Sequence, residues 1–498
     1  MQTNKKAKNV LKNWYRQAFC CILFMMILQV WKSNAQSAKP TQKKKYNILF
    51  IASDDLNNDM HCYGNPFVKT PNLDRLVARG VRFDYAYTQY PLCAPSRASM
   101  LTGYRPDVTK VADLKTHFRE ALPNAITLPQ LFKNNGYYSA RVGKIYHYGV
   151  PSDIGTNGVD DSLSWDERHN PIGRDKTDEK LVTNLTSKRP LGSALAYLAA
   201  DGTDEEQTDG MVATEAISMM QKNKDNPFFL AVGFFRPHCP FIAPKKYFEM
   251  YPVDQVPLPE QKVDDWDNKP EVAKYTIPLN WGLDEAQQRE VLRAYYASIT
   301  FMDAQVGRLL NALDSLGLAN NTIIVFWSDH GYSVGQHGQW MKENLFESAA
   351  RVPLIISVPG LTKGKPSERL VELLDVYPTL AELCGLQAPN DIQGKSLAPL
   401  LKNPAAKWDK PAYTQIDKRK FPGKYFPEMK VALGRSVRTE KWRYTEWDEG
   451  KEGIELYDYK TDPNEFNNLA NNPKYAATVK ELSSLLHKSY EGVKNIGK

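Results

Sequence analysis

Tyr46-Asn47-Ile48-Leu49-Phe50-Ile51-Ala52-Ser53-Asp54-Asp55 is the stretch from which the fold is read. Its apolar run lacks the alternation of a half-exposed strand, so it predicts a strand covered on both faces. A second run, Thr322-Ile323-Ile324-Val325-Phe326-Trp327, behaves alike and ends in Ser328-Asp329-His330-Gly331. Shorter strand candidates span residues 138–142, 227–233 and 353–358. Helical patterns cover 72–79 and, most clearly, 284–316. Strands alternating with amphipathic helices predict an α/β domain with a large, mostly parallel sheet sandwiched by helices. Ligands of such sheets collect at the carboxyl ends of the strands, where Asp54, Asp55, Asp329 and His330 are expected.

With 498 residues, 42% hydrophobic and 24% charged, the chain has the composition of a globular protein of more than one domain. The net charge of +7 suggests a polyanion partner until its position is considered. Lys5, Lys6, Lys8, Lys12, Arg16 and Lys32 precede residue 36 with no acid among them, and without them the charge is about +1. That distribution argues against a nucleic-acid partner. Residues 1–35 read as a signal peptide: a basic start, an apolar run over 18–31 and small residues at Ser33-Asn34-Ala35. The run is short for a membrane span, so no stable membrane insertion is expected after its removal, and the location is expected to be secreted or periplasmic. A retained anchor is the alternative. Cys62, Cys93, Cys239 and Cys384 then remain, too few and too scattered for a disulfide framework.

Residues 36–45 read as a polar linker and 46–425 as the main domain. Residues 426–498 read as a smaller α+β subdomain with an antiparallel sheet and a final helix over 474–490. The alternating run over 437–445 and a second over 454–458 supply its expected strands. Residues 150–210 and 252–282 read as long loops over the strand ends, where selectivity is expected to reside.

Cys93-Ala94-Pro95-Ser96-Arg97 carries the chemistry. The cysteine is expected where the chain enters a helix, with Pro95 pre-shaped for the first turn and Ser96 able to cap its amides. The Cys93 side chain then faces a positive helix end, with Arg97 one turn further on. Alone, an Asp-Asp pair such as Asp54-Asp55 is usually a solvated turn. With Asp329 and His330 at a second strand end it becomes an oxygen-rich cluster with one imidazole, suited to a hard divalent cation, calcium before magnesium. Lys144 and His147, in Gly143-Lys144-Ile145-Tyr146-His147, add basic groups, as do His238 after Arg236-Pro237 and Lys342 after Trp340-Met341. A lone lysine is nearly always solvated and a lone histidine is usually a surface or core residue, so only their agreement with the cysteine and the acids carries weight.

The pentapeptide, together with residues 47–55, Thr70-Pro71-Asn72-Leu73-Asp74, 143–147, Pro237-His238, 328–331, 353–360 and Asp462-Pro463-Asn464-Glu465, resembles the type I, formylglycine-dependent sulfatases of the alkaline-phosphatase superfamily. Within that family the spacing of Lys144 and His147, the Pro-His-x-Pro-Phe run and His337-Gly338-Gln339-Trp340-Met341-Lys342 are most similar to the iduronate 2-sulfatase branch. The resemblance implies an alkaline-phosphatase-like fold and a sulfuric ester hydrolase acting on a sulfated saccharide. It implies that Cys93 is converted to formylglycine by a maturation enzyme, and that Asp54, Asp55, Asp329, His330 and the modified Cys93 hold one calcium ion. It further implies that Arg97 and Lys144 stabilise the formylglycine hydrate and the sulfate charge. His147 would accept a proton as the aldehyde is regenerated, while His238 and Lys342 would contact sulfate, His238 as proton donor to the leaving alcohol.

Two other readings stay open at this stage: a phosphoester or phosphonate hydrolase on the same scaffold, and a glycan-binding protein that keeps only the pocket. The saccharide itself is not specified; fragments of ulvan, carrageenan or glycosaminoglycan all fit. Trp165, Trp266, Trp281 and Trp340 are candidates for stacking on sugars, and Arg168, His169, Arg236 and His337 for binding a carboxylate or second sulfate.

Overall fold

The run at residues 47–54 forms the strand it predicts, and every residue of it is buried. Its even and odd positions feed two different cores. Ile48 and Phe50 pack into one apolar cluster, Leu49 and Ile51 into another. A strand whose successive side chains point to opposite faces must be apolar throughout when both faces are covered.

The computed structural model describes residues 11–16, 18, 45–420 and 428–491. The expected signal peptide and linker fall almost wholly outside the described residues. Among those described, no helix is long and apolar enough to cross a membrane. The chain divides into two units, Met1–Lys45 and Tyr46–Lys498, and all that follows concerns the second.

The large sheet is built from β1 (Asn47–Asp54), β2 (Val81–Tyr87), β3 (Tyr138–Gly143), β4 (Glu167–His169), β5 (Phe228–Pro237), β6 (Thr322–Ser328), β7 (Arg351–Ser357) and β8 (Lys365–Glu372). Their order is β8-β2-β7-β6-β1-β5-β3-β4. Only β7 runs against the others, pairing antiparallel with both β2 and β6. The sheet is thus mostly parallel, as expected, although its 353–358 candidate is the reversed strand.

The helices that frame the sheet are α1 (Cys93–Thr102), α2 (Leu128–Asn134), α3 (Thr208–Lys222), α4 (Glu285–Ser315) and α5 (Val376–Cys384). Side chains of α3 and α4 pack in the cluster with Leu49 and Ile51; those of α1, α2 and α5 pack with Ile48 and Phe50. The 31-residue α4 starts at a capping box in which Asp284 and Gln287 satisfy each other's backbone amides. At about 1.5 Å per residue it is long enough to span the sheet and reach the site.

A four-stranded antiparallel sheet follows: β9 (Ala412–Asp417), β10 (Leu433–Arg438), β11 (Trp442–Trp447) and β12 (Ile454–Asp458), in sequence order, with the helix α6 (Ala476–Glu491) packed on it. The run at 437–445 is not one strand. It contains the end of β10, a turn at 439–441 and most of β11. The first strand of this sheet also precedes residue 426, because β9 pairs along its whole length with β10. Residues 150–210 are mostly irregular but supply β4 at one edge of the large sheet and the start of α3. Residues 252–282 contain only short 3-10 turns between irregular stretches.

Candidate active site

Parallel pairing brings the expected residues together. Register places Ser53 beside Ser328 and Asp54 beside Pro237, so the ends of β1, β5 and β6 converge. In a regular strand Asp54 and Asp55 would face opposite ways. Asp55 instead adopts a left-handed backbone with φ of 62°, which turns both carboxylates into one cluster. Two contacts hold that turn: the Asp55 N–H donates to Asp329 Oδ1 at 3.2 Å, and Tyr295 of α4 donates from its hydroxyl to the Asp55 carbonyl at 2.8 Å.

Cys93 opens α1, as predicted. Its Sγ lies 3.3 Å from His330 Nε2, 3.3 Å from Lys342 Nζ and 3.8 Å from Asp55 Oδ1. The expected cap is absent, since Leu92 occupies the N-cap position and Ser96 lies a turn inside the helix. The Ser96 hydroxyl instead donates to the Asp329 carbonyl, and Thr88 donates to it at 2.8 Å.

Arg97 is fully buried and nearly spent on the protein. Nε donates to Asp329 Oδ2 at 2.8 Å and Nη2 to Asp54 Oδ1 at 3.0 Å. Nη1 donates to the Lys144 and Ile145 carbonyls at 2.8 and 2.9 Å. Lys144 meets the other Asp54 oxygen at 2.5 Å, and Lys342 meets Asp55 Oδ1 at 2.5 Å. Lys144 reaches this position because Gly143, with φ of 74°, lets β3 pass against β5. A Cβ there would stand 2.2 Å from the Gly233 carbonyl oxygen.

The charges set each other. Burial works against ionisation of Asp54, yet Lys144, His238 and Arg97 hold its pKa well below the ordinary carboxylate value. Burial pushes Asp55 up to about 6, with Lys342 and His330 only partly opposing it. The Cys93 thiol is pushed well above its ordinary value by burial and by Asp54. Burial lowers both His147 and His238, helped at His147 by Lys144 and at His238 by Lys342.

Ligand-type atoms of Asp54, Asp55, Cys93 and His238, and those of Asp54, Cys93, Asp329 and His330, form two overlapping sets, each within 4.8 Å. The residues fit a metal. Asp55 Oδ2 is buried and has no hydrogen-bond partner, an arrangement that is costly unless a cation meets it. His330 Nδ1 pairs with the Gly331 carbonyl at 2.8 Å, which commits Nε2 to the cluster as an acceptor. Three carboxylates and one imidazole suit a hard cation, whereas sulfur does not, so an oxygen in place of the Cys93 Sγ would complete the set.

Of the expected catalytic and metal-site residues, all but His147 make direct contacts in this cluster; His147 is buried with its Nδ1 unpartnered, and Lys144 and Asp54 act on it through space. Several auxiliary candidates are engaged elsewhere. Arg236 is buried against Asp175 and the carbonyls of His238 and Pro240. His337 Nδ1 pairs with Asp265 at 2.9 Å and its ring stacks on Phe346. Trp165 and Trp340 are buried, and Trp281 packs under Arg189. His169 pairs with Glu167, and Arg168 with Asp160.

Sequence reasoning missed the supports. Residues 252–282 are laced to the loop carrying Lys342: Gln339 Oε1 accepts from the Tyr275 and Thr276 amides at 2.7 and 2.8 Å, and Trp340 donates from Nε1 to Asn280 at 3.0 Å. Asp175, Asp209 and Asp265 look like solvated loop acids in the sequence. Only their buried partners reveal them: Arg236 for Asp175, Lys269 for Asp265, and the Phe235 and Arg236 backbone amides for Asp209.

Comparison with known proteins agrees with this geometry. Residues 46–386 match the family described as Sulfatase, and 335–491 match the family described as N-sulphoglucosamine sulphohydrolase, C-terminal. The iduronate 2-sulfatase of Homo sapiens is 38% identical over 69% of this chain and 70% of its own. The Delta 4,5-hexuronate-2-O-sulfatase of Bacteroides thetaiotaomicron is 30% identical over 89% of this chain and 88% of its own. A solved structure described as a 2-O GAG sulfatase superposes with a TM-score of 0.70 at 26% identity, over 91% of this chain and 93% of that one. A cysteine at a helix start, facing clustered carboxylates and lysines within a matched domain that spans most of the sequence, places the chain in the sulfatase family, as a sulfuric ester hydrolase.

Proposed function

We propose that the protein removes sulfate from a sulfated saccharide carrying a uronic acid, with one calcium ion and a formylglycine made from Cys93. The observation that carries this reading is the setting of Cys93, whose side chain meets His330, Lys342 and Asp55 at the start of α1. The uronic acid is supported by the names of the iduronate and hexuronate relatives.

Asp54, Asp55, Asp329 and His330 would hold calcium with the residue formed from Cys93, and the ion would supply Lewis-acid polarisation of the nucleophile and the sulfate. Formylglycine, as its hydrate, would supply one hydroxyl as nucleophile and a second through which the aldehyde is restored. Lys342 and Lys144 supply positive charge where negative charge builds on the sulfate oxygens, in a site with little water to screen it. Arg97 keeps Asp54 and Asp329 aligned while it adds to that charge. His238 Nδ1–H donates to the Cys239 carbonyl at 2.6 Å, which leaves Nε2 facing the site; it is the atom that protonates the leaving oxygen once it has itself taken up a proton in the presence of the anionic substrate. A bound sulfate opposes the Lys342 and Lys144 charges that press on His238, and so raises its proton affinity. His147 is kept neutral by burial and takes up a proton as the aldehyde is restored. Cys93 is 1% exposed, so a maturation enzyme must reach it before α1 packs. The basic and apolar residues before 36 support a secreted or periplasmic location.

Sulfate release from a defined panel tests the reading: 2-O-sulfated unsaturated uronate disaccharides, and oligosaccharides of ulvan and carrageenan. Turnover of uronate-bearing members is expected. Release only from carrageenan oligosaccharides, which lack uronic acid, would overturn the saccharide class.

A further inference from the structure

Arg236 is 1% exposed and precedes the segment that carries His238. Its Nη1 forks onto two carbonyls, those of His238 at 2.9 Å and Pro240 at 2.8 Å. Its Nη2 donates to Asp175 Oδ2 at 2.6 Å. The backbone of Arg236 is held as firmly: its N–H donates to Asp209 Oδ2 at 2.9 Å, and its carbonyl accepts from Ser53 Oγ at 2.8 Å, one residue before Asp54. Asp175 is itself fixed, since Oδ1 accepts from the Thr208 amide and hydroxyl at 2.9 and 2.5 Å.

We propose that Arg236, aimed by Asp175, is a positioning residue that sets the direction of His238 for proton transfer to the leaving oxygen. The inference rests on the reading of His238 given above. The guanidinium spans the turn from His238 to Pro240, so the Cys239 carbonyl stays where His238 Nδ1 meets it and Nε2 stays in the site, 3.6 Å from Asp55 Oδ2. A planar, pre-organised fork can hold two carbonyls and a carboxylate at once; an ammonium on a flexible stem cannot hold the same geometry. Because Asp175 belongs to the long segment 150–210, that segment also governs the proton donor, beyond any contact it makes with sugars.

Proton donation matters most when the leaving oxygen is basic, which gives a test independent of the saccharide. Arg236→Lys, Asp175→Asn and His238→Asn are assayed on aryl sulfates from 4-nitrophenyl sulfate, a good leaving group, to phenyl sulfate, a poor one. His238→Asn is expected to lower kcat on phenyl sulfate by about 100-fold or more, with a much smaller loss on 4-nitrophenyl sulfate. Arg236→Lys and Asp175→Asn are expected to show the same dependence on the leaving group, with a loss on phenyl sulfate of about 10- to 100-fold from a displaced imidazole. Thermal unfolding checks that each variant is folded, and Asp175→Asn serves if Arg236→Lys is not. Equal losses on both substrates in the folded Arg236 and Asp175 variants, with a selective loss in His238→Asn, would overturn the positioning role alone. No selective loss in His238→Asn would overturn the reading of His238 and the inference with it.

Discussion

Arg97 donates from Nε to Asp329 Oδ2 at 2.8 Å and so ties the start of α1 to the end of β6. The same guanidinium reaches Asp54 at the end of β1 and lies over the Trp327 ring. Arg97, Asp54 and Asp329 are all fully buried. Truncating the arginine leaves two buried carboxylates short of a partner, a change that costs about 3–5 kcal/mol when a buried pair is broken. Arg97→Ala is therefore expected to be destabilised by that order in urea unfolding. Arg97→Lys should keep part of the stability but lose activity, because one ammonium cannot match a fork that meets two carboxylates and two carbonyls.

Asp55 carries the buried oxygen without a partner, so it should report on the metal more directly than its neighbours do. Chelation is expected to abolish activity and lower the Tm of the native protein, with calcium restoring both. Calcium at a hundred times its Kd would add about 2.7 kcal/mol to stability. In Asp55→Asn that calcium-dependent rise in Tm should largely vanish, together with turnover. A rise of native size in this variant would take Asp55 out of the ligand set. Titration by differential scanning calorimetry with and without calcium makes the comparison.

How much of this was legible follows from where each residue's partner lies. Residues 47–54 and 322–328 could be read because burial on both faces writes itself as an unbroken apolar run. Lys365–Glu372 could not, since it is an edge strand with half its side chains in solvent and a proline near its start. Val81–Tyr87 alternates only imperfectly, with Asp84 paired to Arg82 on its partly exposed side. In the site, Cys93, Asp54, Asp55, Asp329 and His330 could be read because they sit at strand and helix ends that topology must bring together. Asp265 could not. Lys269 stands only four residues on, but nothing local marks the pair as buried, and the other partner of Asp265, His337, is matched to it only by tertiary packing of the 252–282 segment.

Lys418, which directly follows β9, offers a pH dependence. Lys418 is fully buried, donates to the Val272 and Lys274 carbonyls, and lies over the Trp447 ring. Burial lowers its pKa to about 7, against 10.5 for an ordinary lysine. Between those values the unfolded chain binds a proton that the folded protein does not, so stability should rise with pH across that window. The slope is at most about 1.4 kcal/mol per pH unit. Lys418→Met should flatten it. Urea unfolding of both proteins at pH 7 and pH 9 reads the difference, and equal slopes would show that Lys418 keeps its proton on folding.

Cys93→Ser separates what the residue is from where it sits. Serine is close in size, so the variant should fold with native Tm, because the packing around position 93 and the Arg97 anchors are untouched. Its hydroxyl also suits a hard cation better than the thiol does, and calcium binding should therefore survive. A single hydroxyl nonetheless lacks the second oxygen on the same carbon through which a transferred sulfate is released. Expressed in a host without a serine-modifying system, Cys93→Ser is expected to be nearly inactive in multiple turnover while still binding calcium. Mass spectrometry of the peptide around residue 93 should find an aldehyde in the native protein and an unchanged serine in the variant. Sustained native turnover by an unmodified serine would mean that a single hydroxyl at position 93, or water itself, suffices for release of sulfate, and the formylglycine mechanism would be overturned.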